Sequence, residues 1–284
     1  FGLSIINSHL AKGSTIVLTD NSLMERDFWS LVKSAKVTSL SGVPYSYEIL
    51  KRLGFSKMEL PHLKTITQAG GKLDLEINRE FAELCIERGI RFFVMYGQTE
   101  ATARMSYLPP KYSIEKLGSI GHAIPGGELF LIDENGAAIE KSDRVGELAY
   151  KGNNVSMGYA TRRRDLIKGD ENNGLLFTGD LAKRDKNGFF YIEGRKNRYI
   201  KIYGNRVNLD EIERLVRELV THCACTGRDD KMTIFIEHGD KVMSVRKYVS
   251  SRTRLHISSI EVCHIEEIPK SSSGKTLYSE LVSK

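Results

Sequence analysis

Three patterns in the sequence predict an α/β protein. It comprises a partial layered α/β subdomain over residues 1–97, a β-rich, small barrel-like subdomain over 98–194, and a small α+β C-terminal domain over 195–284. In the first stretch, short apolar runs alternate with segments of helical period, as in a mainly parallel sheet covered by helices. In the second, two Asp-x-Asn-Gly turns sit between aromatic and β-branched runs, a hairpin signal. In the third, helical periodicity returns between β-rich runs.

Taken in order, Thr15–Thr19 is a β-branched run and predicts a strand. Asp27–Ala35 predicts a helix with Phe28, Leu31, Val32 and Ala35 on one face. Val37–Leu40 predicts a strand that Ser41-Gly42-Val43-Pro44 breaks, and Pro44 suits the first turn of a helix running to Leu53. Leu63–Thr67 and Ile90–Met95 predict strands. Between them Asp74 is a helix N-cap, with Gly89 the stop after Arg88. The turns Asp133–Gly136 and Asp185–Gly188 predict hairpins. Asn208–Val220 predicts a helix buried through Leu209, Ile212, Leu215, Val216 and Leu219. Strands are expected at Met232–Glu237 and Ile260–Ile265, around a helix over Val242–Ser251.

Of 284 residues, 40% are hydrophobic and 27% charged, which supports a real core and argues against disorder or a disulfide miniprotein. No apolar run is long enough to span a membrane. Lys and Arg exceed Asp and Glu by 42 to 36. The densest basic run, Arg162–Arg164, meets Asp165 at once and has no interleaved aromatic, so it reads as a solvated loop and no nucleic-acid partner is expected. His222-Cys223-Ala224-Cys225 reads as a buried strand, because a zinc site needs a second ligand pair and none stands at a matching spacing. Four cysteines in a chain of this size are no disulfide framework, so the reducing cytoplasm is the expected compartment.

Several short motifs carry chemistry. Met95-Tyr96-Gly97-Gln98-Thr99-Glu100, just past a strand, offers an aromatic face, a hydroxyl and a carboxylate, the set a Mg·nucleotide site needs. In Leu176-Phe177-Thr178-Gly179-Asp180-Leu181 a carboxylate follows a Gly turn and suits the two hydroxyls of a ribose. Lys270–Thr276 imitates a P-loop. However, Pro269 stands where that motif needs Gly, and too few residues follow to form its helix.

The ordered set YGQTE, GELAYKGNNVSMGY, LFTGDL, DKNGFFYIEGRKNRYIKIYGNRVNLDEIE and PKSSSGK resembles the adenylate-forming (AMP-binding) superfamily, which includes acyl-CoA synthetases, peptide-synthetase adenylation domains and luciferases. The match runs through nearly the whole chain. The resemblance implies that a carboxylate attacks the α-phosphate of Mg·ATP and that the acyl group then passes to CoA or to a carrier-protein phosphopantetheine. By motif position, Tyr96 would stack on adenine, followed by Gly97, with Gly70 and Gly71 as the opposite wall. Thr99 would bond phosphate and Glu100 would ligate Mg²⁺. Asp180 would hold the ribose with help from Arg195, and Ile192 would pack nearby. Lys275 matches the catalytic lysine of a mobile C-terminal domain, Asn197 its hinge, and Gly204 a loop that approaches the thiol. The acyl pocket is expected near Ser41–Tyr45 and Ala69–Lys72.

Three departures accompany the match. Asn197 replaces the family's usual Asp or Lys, and the Thr221–Asp240 stretch is compact. The Ser/Thr/Gly-rich loop that grips the β- and γ-phosphates is absent from residues 1–284. With no initiator Met at its start, the chain is expected to be the C-terminal portion of such a ligase and inactive alone. A noncatalytic binding or assembly module of the same fold is the alternative from another class.

Overall fold

A five-stranded sheet organises the chain from Ser39 to Ala123. In order it contains β1 (Ser39–Gly42), β2 (Thr65–Gln68), β3 (Arg91–Tyr96), β4 (Ser106–Leu108) and β5 (His122–Ala123). The first three are parallel and the last two antiparallel. This is a computed structural model, and it describes residues 1–271 and 276–282. The expected catalytic lysine, Lys275, lies outside the described residues.

Around the sheet run α1 (Gly2–Leu10), α2 (Arg26–Ser34), α3 (Pro44–Arg52) and α4 (Leu75–Glu87). Strand period two sorts the sheet's faces. Ile66, Phe92, Val94 and Leu108 turn one way, onto Tyr47 and Leu50 of α3 and Phe81, Ala82 and Cys85 of α4. Tyr47 and Phe81 meet edge to face at 4.9 Å. Pro44 occupies the first turn of α3, and Asp74 caps α4 by accepting from the backbone N–H of Glu76 and Ile77. Both features follow the sequence pattern.

Two expectations fail here. Thr15–Thr19 forms no strand and is mostly exposed, with Leu18 80% accessible. β-propensity expresses itself only against a paired, half-buried surface, and this run has no ladder partner among the described residues. β1 also runs on to Gly42, because its partners in β2 continue to Gln68, so Ser41 and Gly42 belong to the strand they were expected to break. Beyond residue 97, β4 and β5 still extend this first sheet.

A four-stranded sheet follows, in the order β6 (Gly127–Ile132), β7 (Gly146–Gly152), β8 (Leu175–Arg184), β9 (Phe190–Arg195). Both predicted turns form, each organised by its leading Asp. Asp133 Oδ1 accepts from the N–H of Asn135 and Ala137, and Asp185 Oδ1 from those of Asn187 and Phe189, all at 2.9 Å. Leu129, Leu131, Leu148, Tyr150, Ala182 and Phe190 form the core beneath.

The described chain divides into two compact units, Phe1–Glu193 and Gly194–Lys284. The second holds the hairpin β10 (Tyr199–Ile202) and β11 (Asn205–Asn208), then α5 (Leu209–Val216), β12 (Cys223–Arg228), β13 (Lys231–Ile236), α6 (Val242–Thr253), β14 (Ile260–His264) and α7 (Tyr278–Val282). β13 is central, antiparallel to β12 and parallel to β14. Cys223 and Cys225 are buried, free thiols on β12, and burial pushes Cys223 up to about 12. Among the described residues no group of three or more His, Cys, Asp or Glu could hold a metal ion. No helix there is long and apolar enough to cross a membrane.

Candidate functional site

The site in the first unit is built where β3 ends. Tyr96 is the last residue of β3, and its hydroxyl donates to Asp180 Oδ2 at 2.6 Å. Gln98 Nε2 donates to the same oxygen at 3.0 Å and to the Thr178 carbonyl at 2.8 Å. Thr178 in turn donates to the Leu148 carbonyl and accepts from the Asp180 N–H, so β7 and β8 together hold the carboxylate. Gly179 stands between them at φ +69°, a conformation that favours glycine and turns the chain toward Asp180. Asp180 is thus buried, at 4% exposure, with its orientation set by two side-chain donors. Tyr96 and Ile192 both pack on the apolar core beneath the second sheet.

Gly70 and Gly71 approach the same place from β2. A Cβ on Gly70 would lie 3.2 Å from Val43 Cγ1, and one on Gly71 3.1 Å from Pro44 Cγ, so the turn packs on the start of α3. Gln68, buried at 1% exposure, clamps the turn by donating to the Gly71 carbonyl. Lys72 Nζ donates to the Ile192 carbonyl at 2.8 Å and joins the glycine turn to β9.

Gly97 is required by the chain itself. A Cβ there would sit 2.4 Å from the Ala103 carbonyl oxygen, because Thr102 and Ala103 both take left-handed backbone and fold back beneath it. Thr99 is exposed on the short 3₁₀ turn Thr99–Ala101. Glu100 follows, its carboxylate accepting from the Tyr159 hydroxyl. That bond, more than burial, raises the Tyr159 pKa. One carboxylate beside a hydroxyl fits Mg²⁺ that arrives on nucleotide phosphates, the usual mode for this hard cation, and not a cage made by protein alone.

The remaining candidates fall in the second unit. Arg195 and Asn197 are exposed near its start. Gly204 forms, with Tyr203, the two-residue turn between β10 and β11, both at positive φ.

Sequence reasoning quoted, but gave no role to, several residues that the structure makes central. In the first unit these are Gln98, Thr178 and Tyr159. In the second unit Arg198, 9% exposed, donates to Asp210 at 2.8 Å and to Glu213 and the Cys225 carbonyl at 2.5 Å. It also lies 4.0 Å from the Tyr278 ring centroid. The only signal was their position inside the quoted motifs.

The residue pattern of the family described as AMP-binding enzyme matches residues 1–160, more than half of the chain. The chain belongs to the AMP-binding enzyme family. Among curated relatives, the 2-succinylbenzoate–CoA ligase of Listeria monocytogenes is 26% identical over 283 residues, 96% of this chain and 57% of that protein. The Bacillus cereus ligase of the same name is 27% identical over 291 residues, 99% of this chain and 58% of that one. Among solved structures, O-succinylbenzoate coenzyme A synthetase (MenE) from Bacillus subtilis, in complex with AMP, matches with a TM-score of 0.78 at 25% identity. It covers 99% of this chain and 58% of that one. The amide bond synthetase McbA of Marinactinospora thermotolerans shares the fold at a TM-score of 0.74 and 19% identity. The chain therefore spans less than three-fifths of the length of these relatives.

Proposed function

We propose that this chain is the C-terminal portion of an ATP-dependent acid–thiol ligase that makes an acyl-adenylate and then a thioester of CoA. The observation that carries the reading is the Tyr96–Asp180–Gln98 cluster. A carboxylate fixed in one orientation by two donors is preset to accept from a cis-diol, beside an aromatic ring whose hydroxyl is already committed.

In the first half-reaction a carboxylate oxygen bonds to the α-phosphorus of ATP, the bond to the β-phosphate breaks, and pyrophosphate leaves. Tyr96, Gly70 and Gly71 hold adenine. By motif position Asp180 and Arg195 are assigned to the ribose, and Ile192, which packs on the core of the second sheet, to its surroundings. Thr99 bonds phosphate, and Glu100 would hold the Mg²⁺ that neutralises phosphate charge. Lys275, assigned from its motif, steadies the charge that grows between carboxylate and phosphate. In the second half-reaction the thiol sulfur attacks the acyl carbon and AMP leaves as the carboxyl's leaving group. Asn197 serves as the hinge between the two half-reactions, and the Gly204 turn faces the thiol substrate. CoA is preferred to a carrier-protein pantetheine because the curated relatives are named as CoA ligases. The free thiols suit a cytoplasmic setting.

The test is AMP binding to the 284-residue chain by calorimetry. Asp180→Ala is expected to weaken it by about tenfold or more, the loss of charge-assisted bonds. Equal affinity of the variant and the parent, or no AMP binding at all, overturns the reading. Because residues 1–284 lack the phosphate-gripping loop, the same chain is expected to give no carboxylate-dependent ATP–pyrophosphate exchange.

A further inference from the structure

Glu100, the residue assigned to Mg²⁺, stands on the short 3₁₀ turn Thr99–Ala101 rather than on a strand or a long helix. A long side chain on such a turn must give up rotamer freedom before it can ligate a metal. The chain that follows β7 supplies the missing restraint. Asn154 Nδ2 donates to the Ala101 carbonyl at 2.8 Å and to the Arg104 carbonyl at 3.3 Å, while its Oδ1 accepts from the Tyr150 hydroxyl of β7 at 2.8 Å. The Ser156 N–H donates to the Glu100 carbonyl at 2.7 Å. The Tyr159 hydroxyl then donates to Glu100 Oε1.

This segment is itself braced from the far side. Asn172 Nδ2 donates to the Ser156 carbonyl at 2.7 Å, and the Glu171 N–H donates to the Met157 carbonyl at 2.8 Å. Gly158 stands at φ +137°, and a Cβ there would lie 2.8 Å from Glu171 Oε2, so glycine is what lets the chain turn Tyr159 back toward Glu100. Tyr159 is 69% exposed, so burial in a core does not account for its placement. Its bond to Glu100 raises its pKa, and the hydroxyl therefore keeps its proton and its donor role at neutral pH.

We propose that Tyr159 is a positioning residue for the metal: by holding the Glu100 carboxylate in one orientation, it sets the affinity of the site for the divalent cation that arrives on the nucleotide's phosphates. This rests on the ligase reading above. A carboxylate oriented beforehand by an outer hydrogen bond loses less freedom when it ligates, and partners of this kind typically carry about 10–100-fold in metal affinity.

The experiment measures ATP binding to the full chain by calorimetry, in Mg²⁺ and in EDTA, with AMP in EDTA as the control for each variant. The ratio of the two ATP affinities reads the metal's contribution and cancels any effect common to the fold or to the adenosine end. Tyr159→Phe, which keeps the ring, is expected to lower that ratio about tenfold. In the Glu100→Gln background the same change is expected to lower it no further, because Tyr159 acts through Glu100. An unchanged ratio in Tyr159→Phe overturns the proposal, as does a loss that adds in full to that of Glu100→Gln, and in both cases the ligase reading stands. No AMP binding by the unaltered chain, or a ratio that Mg²⁺ does not raise, overturns that reading of the site, and the proposal falls with it.

Discussion

Asp180 and Glu213 show how two acidic residues of similar sequence appearance come to differ. Asp180 stands after a glycine turn at a strand position and presents its carboxylate to Tyr96 and Gln98. Glu213 points inward from α5 and is surrounded by donors. Arg198 and the Cys225 N–H reach Oε1, while Arg217 and the Tyr278 hydroxyl reach Oε2. Burial opposes the charge on Arg198, yet Glu213, Tyr278 and Asp210 outweigh it and raise its pKa further. Breaking one side of such a pair leaves a buried charge uncompensated. Glu213→Ala is therefore expected to cost about 3–5 kcal/mol in urea unfolding, while the double variant Arg198→Met/Glu213→Met recovers part of it. A loss below about 1 kcal/mol for the single variant would mean the pair behaves as an exposed one.

At the scale of elements, the β8–β9 hairpin makes a pH prediction. Lys116, packed 5.0 Å from the Phe189 ring centroid, donates to Asp185 at 3.0 Å and to Asn187 at 2.8 Å. Burial works against ionisation of Asp185. The bonds from Phe189, Lys116 and Asn187 prevail and hold its pKa below the ordinary carboxylate value. A depressed folded-state pKa stabilises the fold above the unfolded value, near about 4, and that stabilisation drains away as pH falls through the folded value. Urea stability is therefore expected to fall below about pH 4. Asp185→Asn keeps a turn acceptor but cannot ionise, so it should be about 1 kcal/mol less stable near neutral pH and converge on the parent in acid. Parallel stability curves across that range would contradict this. Elements with local punctuation were legible in this way: Pro44 and Asp74 start helices, and Asp133 and Asp185 close turns. Thr15–Thr19 was not, because strand formation depends on a neighbour that no local signal supplies.

At the scale of the whole molecule, each unit has its own apolar core. In the first, Tyr47, Phe81 and Phe92 lie under one sheet and Leu131, Leu148 and Phe190 under the other. In the second, Ile212, Val216 and Ile260 share a core with Ile234 of β13. Two cores in one chain predict two calorimetric transitions. Glu213→Ala is expected to lower the transition of the second unit and Asp185→Asn that of the first. A single transition that both variants shift equally would refute that assignment.

The sequence by itself determined the class of fold, the family and the order of the motifs, because these depend on local periodicity, turn chemistry and short residue strings. The resemblance carried by those strings also implied that Tyr96 and Asp180 share one site. Only the tertiary structure decided which groups complete that site. Gln98 and Thr178 orient Asp180, Tyr159 holds Glu100, and Ala103 explains Gly97. The physical reason is distance along the chain. Tyr96 and Asp180 are separated by 84 residues, and a donor gains its meaning from the acceptor that folding brings within 3 Å, which no local pattern records.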